Sequence, residues 1–211
     1  MRKVGTTQTK DQIADILREY ILSGRLTPEA DIVQEDLAEL LQLSRTPVRE
    51  ALQVLEQEGL LERLSNRHMR VVPVTQEEIL TIFQVLGALE GEILSLLSGH
   101  PEKWGELTRL AKEHALALNQ GYPGKCRELE KTFHLALSQE LGIPYLQKMH
   151  QKVLSGYPFY AMDRAGDAQA SGAMMTAVLE RLAAQDQSGL RSLAKEYFQA
   201  LALRYEKDEN K

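Results

Sequence analysis

The sequence has little cysteine: Cys126 is the one thiol among 211 residues. A single thiol cannot form an intramolecular disulfide, so the disulfide frameworks of small secreted domains are excluded. Residues 1–7 lack the apolar stretch of a signal peptide, and no apolar run approaches the roughly 20 residues needed to span a bilayer. We therefore expect a cytoplasmic protein with no membrane partner.

The sequence also lacks an excess of positive charge. Its formal net charge is −5, and residues 1–75 carry 10 Lys and Arg against 12 Asp and Glu. Proteins that coat nucleic acid without regard to sequence need many cations facing phosphates. Such binding is excluded, and any contact with DNA has to come from a local group of basic residues.

Motifs of common enzyme classes are missing as well. The sequence has no Gly-x-Ser-x-Gly nucleophile elbow, no glycine-rich phosphate loop and no His-Glu-x-x-His zinc motif. An acidic residue and a histidine stand four residues apart at Glu130 and His134. We expect no enzymatic activity, with a small metal-dependent hydrolase as the alternative from another functional class.

Glycine and proline divide the chain into periodic segments, most of which are predicted to be helical. Near the amino terminus, helical spacing of apolar residues predicts helices at about 11–23, 34–41 and 44–59, and residues 60–74 alternate like a short β-hairpin. A capping box at Thr75 and Glu78 opens a long helix with Phe83, Leu86 and Leu96 expected on its buried side. Further helices are predicted at about 101–120, 123–141, 144–155, 167–185 and 187–207.

These patterns predict a mostly α protein with two domains. A three-helix domain with a β-hairpin covers residues 1–74, and an all-helical domain covers residues 75–211. Residues 157–160, Tyr-Pro-Phe-Tyr, are expected to line the lip of a pocket or to form a loop packed on the helical bundle.

The order helix, helix, tight turn, helix and hairpin in the first domain is that of a winged helix-turn-helix, whose third helix enters the major groove. The first turn of this helix offers Arg45 and Arg49 on one face, where a guanidinium can bind guanine O6 and N7. The hydroxyls of Ser44 and Thr46 can contact phosphates. An isolated pair of arginines at this spacing is more often the solvated face of an ordinary amphipathic helix. The order of the elements favours DNA binding instead.

Residues 37–52, which read LAELLQLSRTPVREAL, closely resemble the GntR superfamily of bacterial regulators, and the resemblance extends over residues 11–74. It implies major-groove contacts from the first turn of the third helix and a minor-groove contact from the tip of the wing. The residues expected to contact DNA are Ser44, Arg45, Thr46, Pro47, Arg49, Asn66 and Arg67.

The first domain departs from the family pattern at two places. Gln34-Glu35 replaces a pair that often contains a phosphate-contacting arginine, so the choice of operator is expected to differ. At the wing, His68 follows Arg67 where the family usually has glycine. Because histidine adopts positive φ reluctantly, we expect an altered wing tip.

The second domain resembles the FCD effector domain of the FadR-type branch, an all-helical bundle that also dimerises. In many FCD domains an Asp and a His four residues apart, with two further His on the last two helices, hold a divalent metal beside a carboxylate effector. Glu130 and His134 match the first pair, but Met175 and Tyr197 stand where the resemblance places the other histidines. Leu86 replaces an arginine that would pair with the carboxylate. We therefore expect neither a metal nor another cofactor.

Three interpretations of Glu130 and His134 remain open: a hydrogen-bonded pair, a relic that still orients a ligand, and a metal site completed by His114 or His150. The side chains around them favour a weakly polar or acyl-like effector, although plain core packing explains any single one of them. The residues expected to line the effector pocket are Leu86, Glu130, Phe133, His134, Met174, Met175 and Tyr197.

Together the two domains predict a transcriptional regulator, of the repressor type, that responds to a small-molecule effector. We expect a homodimer on palindromic double-stranded operator DNA, because one small reading head rarely makes enough contacts for specific binding. The alternative is a constitutive dimeric DNA-binding protein whose helical domain serves dimerisation only.

Overall fold

Residues 6–28 and 31–209 are described by the structure, a computed structural model of the chain. The contacts between residues divide the chain into two compact units, Met1–Val74 and Thr75–Lys211. Each unit buries apolar side chains of its own.

Among the described residues, the first unit contains three helices and three short strands. They are α1 (Thr6–Leu22), β1 (Asp31–Ile32), α2 (Gln34–Leu40), α3 (Arg45–Glu58), β2 (Leu61–Arg63) and β3 (Met69–Val71). The strands form an antiparallel sheet in the order β1-β3-β2. Helices α1 and α3 pack together and bury Leu17, Ile21, Val48 and Leu55.

The predicted helices and hairpin are present, with two differences. Helix α1 begins at Thr6 rather than at residue 11, because residues 6–10 are polar and show no apolar stripe that a sequence pattern could detect. Strand β1 was not predicted, since two residues are too short for an alternating pattern. It pairs with β3, and an ion pair of 3.1 Å between Asp31 and Arg70 joins the two strands.

The described part of the second unit is helical. Its elements are α4 (Gln76–Leu97), a 3-10 turn (Pro101–Lys103), α5 (Gly105–Asn119), α6 (Pro123–Leu141), α7 (Pro144–Leu154), α8 (Tyr157–Ala165), α9 (Ala168–Ala183) and α10 (Gln187–Glu209). The predicted capping box starts α4: the Thr75 hydroxyl accepts the Glu78 N–H at 3.2 Å, and the Glu78 carboxylate accepts the Thr75 N–H at 2.7 Å.

Helix α8 corrects the interpretation of residues 157–160 as a packed loop, and the alternative that they line the lip of a pocket stays a prediction. Its nine residues begin after Gly156, with Pro158 in the first turn, where proline costs no hydrogen bond. Tyr160, Ala161 and Met162 are buried. A helix this short carries too few repeats for its periodicity to be distinguished from a packed loop.

Two glycines let α4 and α10 approach each other closely. A Cβ atom on Gly87 would lie 3.0 Å from the Cα of Lys195, and one on Gly91 would lie 3.0 Å from the Cα of Arg191. Real Cβ atoms rarely come this close to backbone atoms. Only glycine therefore fits at both positions without a shift of one helix.

Helix α4 is also the most apolar helix of the described chain. It is long and apolar enough to cross a membrane by length and composition, so the expectation that no apolar stretch reaches that length is wrong. Half of its apolar window is buried against other helices, as in the core helix of a soluble protein. Leu96, which was expected on the buried side, is 55% exposed, and its neighbour Leu97 is buried.

Candidate DNA-reading surface and buried polar site

The turn between α2 and α3 is compact because Gln42 adopts a left-handed conformation with φ of 54°. The Leu43 N–H donates to the carbonyl of Ala38 at 3.0 Å, which folds the chain back toward α3. Ser44 then occupies the N-cap position with extended backbone, and its side chain is exposed. Helix α3 therefore begins where the sequence predicted it.

Helix α3 has one buried face and one exposed face. Its buried stripe, 3% exposed or less, consists of Val48, Ala51, Leu52 and Leu55. Arg45, Thr46 and Arg49 are exposed, as a DNA-reading role requires. Pro47 is buried, so this predicted contact residue packs inside the unit and helps to start the helix rather than facing DNA.

The arginines of the first unit differ in how they are held. Of the seven arginines that the structure describes in this unit, four are bound by carboxylates. The pairs, at 2.7–3.3 Å, are Arg18–Glu58, Arg45–Glu35, Arg63–Glu56 and Arg70–Asp31. Arg25 lies over the ring of Tyr20. Arg49 and Arg67 are exposed and form no ion pair with any residue in the described ranges. Among the described arginines of this unit, one on α3 and one in the wing are therefore exposed and not held by a carboxylate.

The Arg45 side chain is 70% exposed and has one weak restraint. One of its guanidinium nitrogens lies 3.3 Å from the carboxylate of Glu35, and the Gln34 amide donates to the Arg45 carbonyl at 3.3 Å. The Gln34-Glu35 pair that departs from the family pattern therefore contacts the first residue of α3.

The wing between β2 and β3 turns at Arg67. The Arg67 N–H donates to the carbonyl of Leu64 at 3.0 Å, and the Asn66 side chain accepts the His68 N–H at 3.0 Å. Positive φ occurs at Arg67, at 70°, and not at His68. His68, at the position where the family usually has glycine, therefore does not need the conformation that favours glycine, and the residue before it adopts it. Asn66 and Arg67 are both exposed at the tip.

In the second unit, three of the predicted pocket residues meet inside the helical bundle. Glu130 and His134 lie one turn apart on α6, and both are buried. The phenol of Tyr197, on α10, donates a hydrogen bond to Oε1 of Glu130. The rings of Tyr197 and His134 are 5.5 Å apart between centroids. Tyr197, which stands where the resemblance places a metal-binding histidine, therefore lies beside Glu130 and His134.

Glu90 belongs to the same cluster and was missed by the sequence interpretation. It lies on α4, 2% exposed, and accepts hydrogen bonds from Nδ1 of His134 at 2.7 Å and from Nε2 of His150 at 2.9 Å. A sequence signal existed, because Glu90 falls between Leu86 and Ile93 on the apolar stripe of α4, where a charge is unusual. We call Glu90, Glu130, His134, His150 and Tyr197 the buried polar site.

The pKa values at this site follow from burial and from the partners. Burial alone would raise the pKa of the Glu90 carboxyl, but the two histidines outweigh it and the pKa is lowered. Burial alone would lower the pKa of His134, but Glu90 holds it above its ordinary value. Each partner therefore favours the charged form of the other. Burial raises the pKa of Glu130. The hydrogen bond from Tyr197, together with His134, Ser171 and the charge of Arg204, offsets only part of the effect.

The other histidines near the site have partners of their own. His150 uses its second nitrogen to contact the Ser138 hydroxyl at 2.9 Å, and Nε2 of His114 contacts the Ser171 hydroxyl at 2.9 Å. Two buried atoms of the site have no hydrogen-bond partner among the described residues, namely Oε2 of Glu130 and Nε2 of His134. Such atoms in a folded protein call for a water, an ion or a ligand.

The remaining predicted pocket residues are buried, which fits both a pocket lining and core packing: Leu86, Phe133, Met174 and Met175. The Phe133 ring meets that of His134 edge-on at 6.3 Å between centroids. Two cavities are found elsewhere, one of about 410 Å³ between α5 and α9 and one of about 700 Å³ between α1 and α2. The residues that line them include none of the seven predicted for the effector pocket.

A divalent metal of the FCD type does not fit this donor set. A thioether at Met175 and a protonated phenol at Tyr197 are poor ligands for a hard or borderline ion. In residues 6–28 and 31–209, no three His, Cys, Asp or Glu side chains are placed to hold an ion.

Comparison with known proteins agrees with this architecture. The chain is 26% identical over 144 residues to the HTH-type transcriptional repressor GlaR of Escherichia coli K12, a match that spans 65% of each protein. Among solved structures, E. coli McbR/YncC superposes with a TM-score of 0.64 at 25% identity, over 94% of this chain and 98% of that one. The Listeria monocytogenes protein Lar shares the fold with a TM-score of 0.73 at 15% identity, over 98% of each chain.

Sequence profiles of two families match the two units separately. The profile of the bacterial regulatory proteins of the gntR family matches residues 9–71. The profile of the FCD domain matches residues 81–200, more than half of the chain. The chain therefore belongs to the GntR family of bacterial regulatory proteins and carries an FCD domain as its second domain.

Proposed function

We propose that the protein is a cytoplasmic transcriptional repressor that binds double-stranded operator DNA through residues 1–74 and releases it in response to a small-molecule effector held by the FCD domain. The observation that carries the proposal is the presence of two exposed arginines, Arg49 on α3 and Arg67 in the wing, that form no ion pair with any residue the structure describes. A repressor role is supported by the likeness to GlaR, which is named a repressor. The proposal includes no catalytic step.

The DNA-binding part is tested by selecting sites from a random double-stranded library and titrating the selected site at fixed salt. We expect a palindrome, and we expect Arg49→Ala to weaken binding by about 1–3 kcal/mol. Arg109→Ala is the control, because it removes the same charge from an exposed helix of the FCD domain. Equal affinities for wild type and Arg49→Ala would contradict the assignment of α3 as the reading helix.

A homodimer is part of the proposal. One reading head exposes few cations, and a palindrome read by two heads doubles the contacts. Light scattering at micromolar concentration, with and without the selected site, is the direct measurement. A monomer under both conditions would refute the dimer.

For the effector we propose a molecule with a hydrogen-bonding head and a weakly polar or acyl-like body, bound without a metal. Oε2 of Glu130 and Nε2 of His134 would take the head, and the body would lie along Phe133, Met174 and Met175. A panel of metabolites tested by thermal unfolding would find such a molecule, since a ligand that binds the folded state raises the melting temperature. If no compound changes melting or operator binding, the helical domain serves dimerisation alone.

A further inference from the structure

Glu90 is the point at which three helices of the FCD domain meet. Its carboxylate, on α4, accepts hydrogen bonds from two histidines. Nδ1 of His134, on α6, lies 2.7 and 3.0 Å from the two carboxylate oxygens, and Nε2 of His150, on α7, lies 2.9 Å from one of them. His150 is held in turn by the Ser138 hydroxyl at 2.9 Å. All four side chains are buried, with 2% exposure or less. These contacts oppose a rotation of the His134 ring that would exchange its two nitrogens.

The orientation of His134 follows from these contacts. With Nδ1 committed to Glu90, its other nitrogen, Nε2, is the edge of the ring that is left without a partner among the described residues. The rings of Tyr197 and Phe198 lie 5.5 and 5.2 Å from the imidazole, measured between centroids, and prevent it from tilting away. One turn away on α6, Oε2 of Glu130 also lacks a partner within the described chain.

We propose that Glu90 is a positioning residue of the effector site: it holds Nδ1 of His134 so that Nε2 meets the head group of the effector, and a hydroxyl or primary carboxamide is the head that fits. This inference rests on the proposed effector-binding function. In a site where no metal fits, Glu90 and His150 give His134 the fixed orientation that an ion would otherwise impose.

The choice of head group follows from the two unpartnered atoms. A hydroxyl or a carboxamide can donate one hydrogen bond and accept another, so it can satisfy Glu130 and His134 together. A carboxylate can accept a hydrogen bond from Nε2 of His134 but has no proton to donate to Oε2 of Glu130. It would therefore satisfy one of the two atoms and leave the other unpaired.

The positioning role is tested first on the unmodified full-length protein. With 15N-labelled histidine, multiple-bond 1H–15N spectra report which ring nitrogens carry protons. We expect a protonated, slowly exchanging Nδ1 on His134. A His134 with a bare Nδ1 and a proton on Nε2 alone would overturn the proposal without the need for any variant.

Glu90→Gln and a matched control separate positioning from general stability. Glu92→Gln makes the same change two residues away, on the exposed side of α4, where the carboxylate pairs with Arg191 of α10 at 2.6 Å. It therefore also reports what the loss of an α4–α10 ion pair does without a change at the His134 contact. We expect fast exchange at Nδ1 of His134 in Glu90→Gln, because a neutral amide is a weaker acceptor, and unchanged spectra in Glu92→Gln. If the two variants give the same His134 spectrum as wild type, Glu90 does not position the ring.

Hexanamide and hexanoate, which share one body length, test the head group by thermal unfolding. We expect hexanamide to stabilise the wild type and Glu92→Gln, and its affinity to fall about tenfold in Glu90→Gln. A larger shift with hexanoate, or no shift with hexanamide, overturns the head-group assignment. Operator titrations without either compound separate the two proposals. If the wild type does not bind the operator, the proposed function is refuted, while the histidine spectra decide whether Glu90 positions His134.

Discussion

The carboxylate of Glu35 lies 3.3 Å from a guanidinium nitrogen of Arg45, across the turn that joins α2 to α3. Both side chains are more than half exposed, so the pair is screened by solvent and holds Arg45 only weakly. The acidic residue nevertheless lowers the positive charge that α3 presents to a phosphate backbone.

Replacing Glu35 with Gln should therefore strengthen DNA binding. An exposed pair contributes up to about 1 kcal/mol, so the gain should not exceed about fivefold. Fluorescence anisotropy with the selected operator at fixed salt measures it. Glu39→Gln is the control, because it makes the same change in charge on the same helix. Glu39 is exposed and forms no ion pair among the described residues. An equal gain in both variants would show that overall charge, and not the contact with Arg45, is responsible.

Substitutions of Arg67 should affect protein stability and DNA affinity in different ways. The φ of Arg67 is 70°, a conformation that glycine adopts without strain and alanine does not. The free energy of unfolding of Arg67→Gly should therefore be about 1 kcal/mol higher than that of Arg67→Ala. Both remove the guanidinium, so both should weaken binding to the operator and to scrambled DNA by similar factors. Denaturant unfolding and DNA titrations test the two statements. A selective loss for the operator alone would mean that the wing reads base sequence.

The buried Glu90–His134 pair should make stability depend on pH. The raised pKa of His134 contributes stability that is complete below the ordinary histidine value of about 6.5 and is lost as pH rises through the folded value. The lowered pKa of Glu90 contributes stability that is present above the ordinary carboxyl value and is lost as pH falls through the folded value. Urea unfolding from pH 6 upward should show a decline that is shallower in Glu90→Gln. Parallel curves for the two proteins would contradict this coupling.

Elemental analysis of the purified protein should find no stoichiometric zinc, nickel or manganese. Met175→His combined with Tyr197→His should create metal affinity, because it would place new imidazoles beside Glu130 and His134. A metal-dependent rise in melting temperature measures this gain, and it should disappear when Glu130→Gln is added. One tightly bound ion per chain in the unmodified protein would mean that other side chains complete a site and that the alignment of α9 and α10 is wrong.

Local signals explain which elements could be predicted. Helix α6 was predicted with its observed bounds because Pro123 and Gly142 mark its two ends, and the start of α4 is encoded by Thr75 and Glu78 within one turn. The exposed face of α3 followed from its apolar stripe. These features depend on residues that are neighbours in sequence.

The buried polar site could be predicted only in part, since its contacts join distant segments. Glu90 and His134 are separated by 44 residues, and Glu90 and His150 by 60, so no spacing rule links them. The resemblance to FCD domains identified Glu130, His134 and the position of Tyr197. It could not identify Glu90, whose partners are set by how α4, α6 and α7 pack.

The close approach of α4 and α10 at Gly87 and Gly91 restricts how the FCD domain can change shape. Sliding of one helix along the other would bring these glycines against different backbone or side-chain atoms, so we expect the two helices to move as one body. An effector that repositions Tyr197 on α10 therefore shifts α4 as well, and the capping box at Thr75 makes the start of α4 stiff. We therefore expect the domain to respond to an effector by a rigid displacement of this helix pair rather than by bending of either helix.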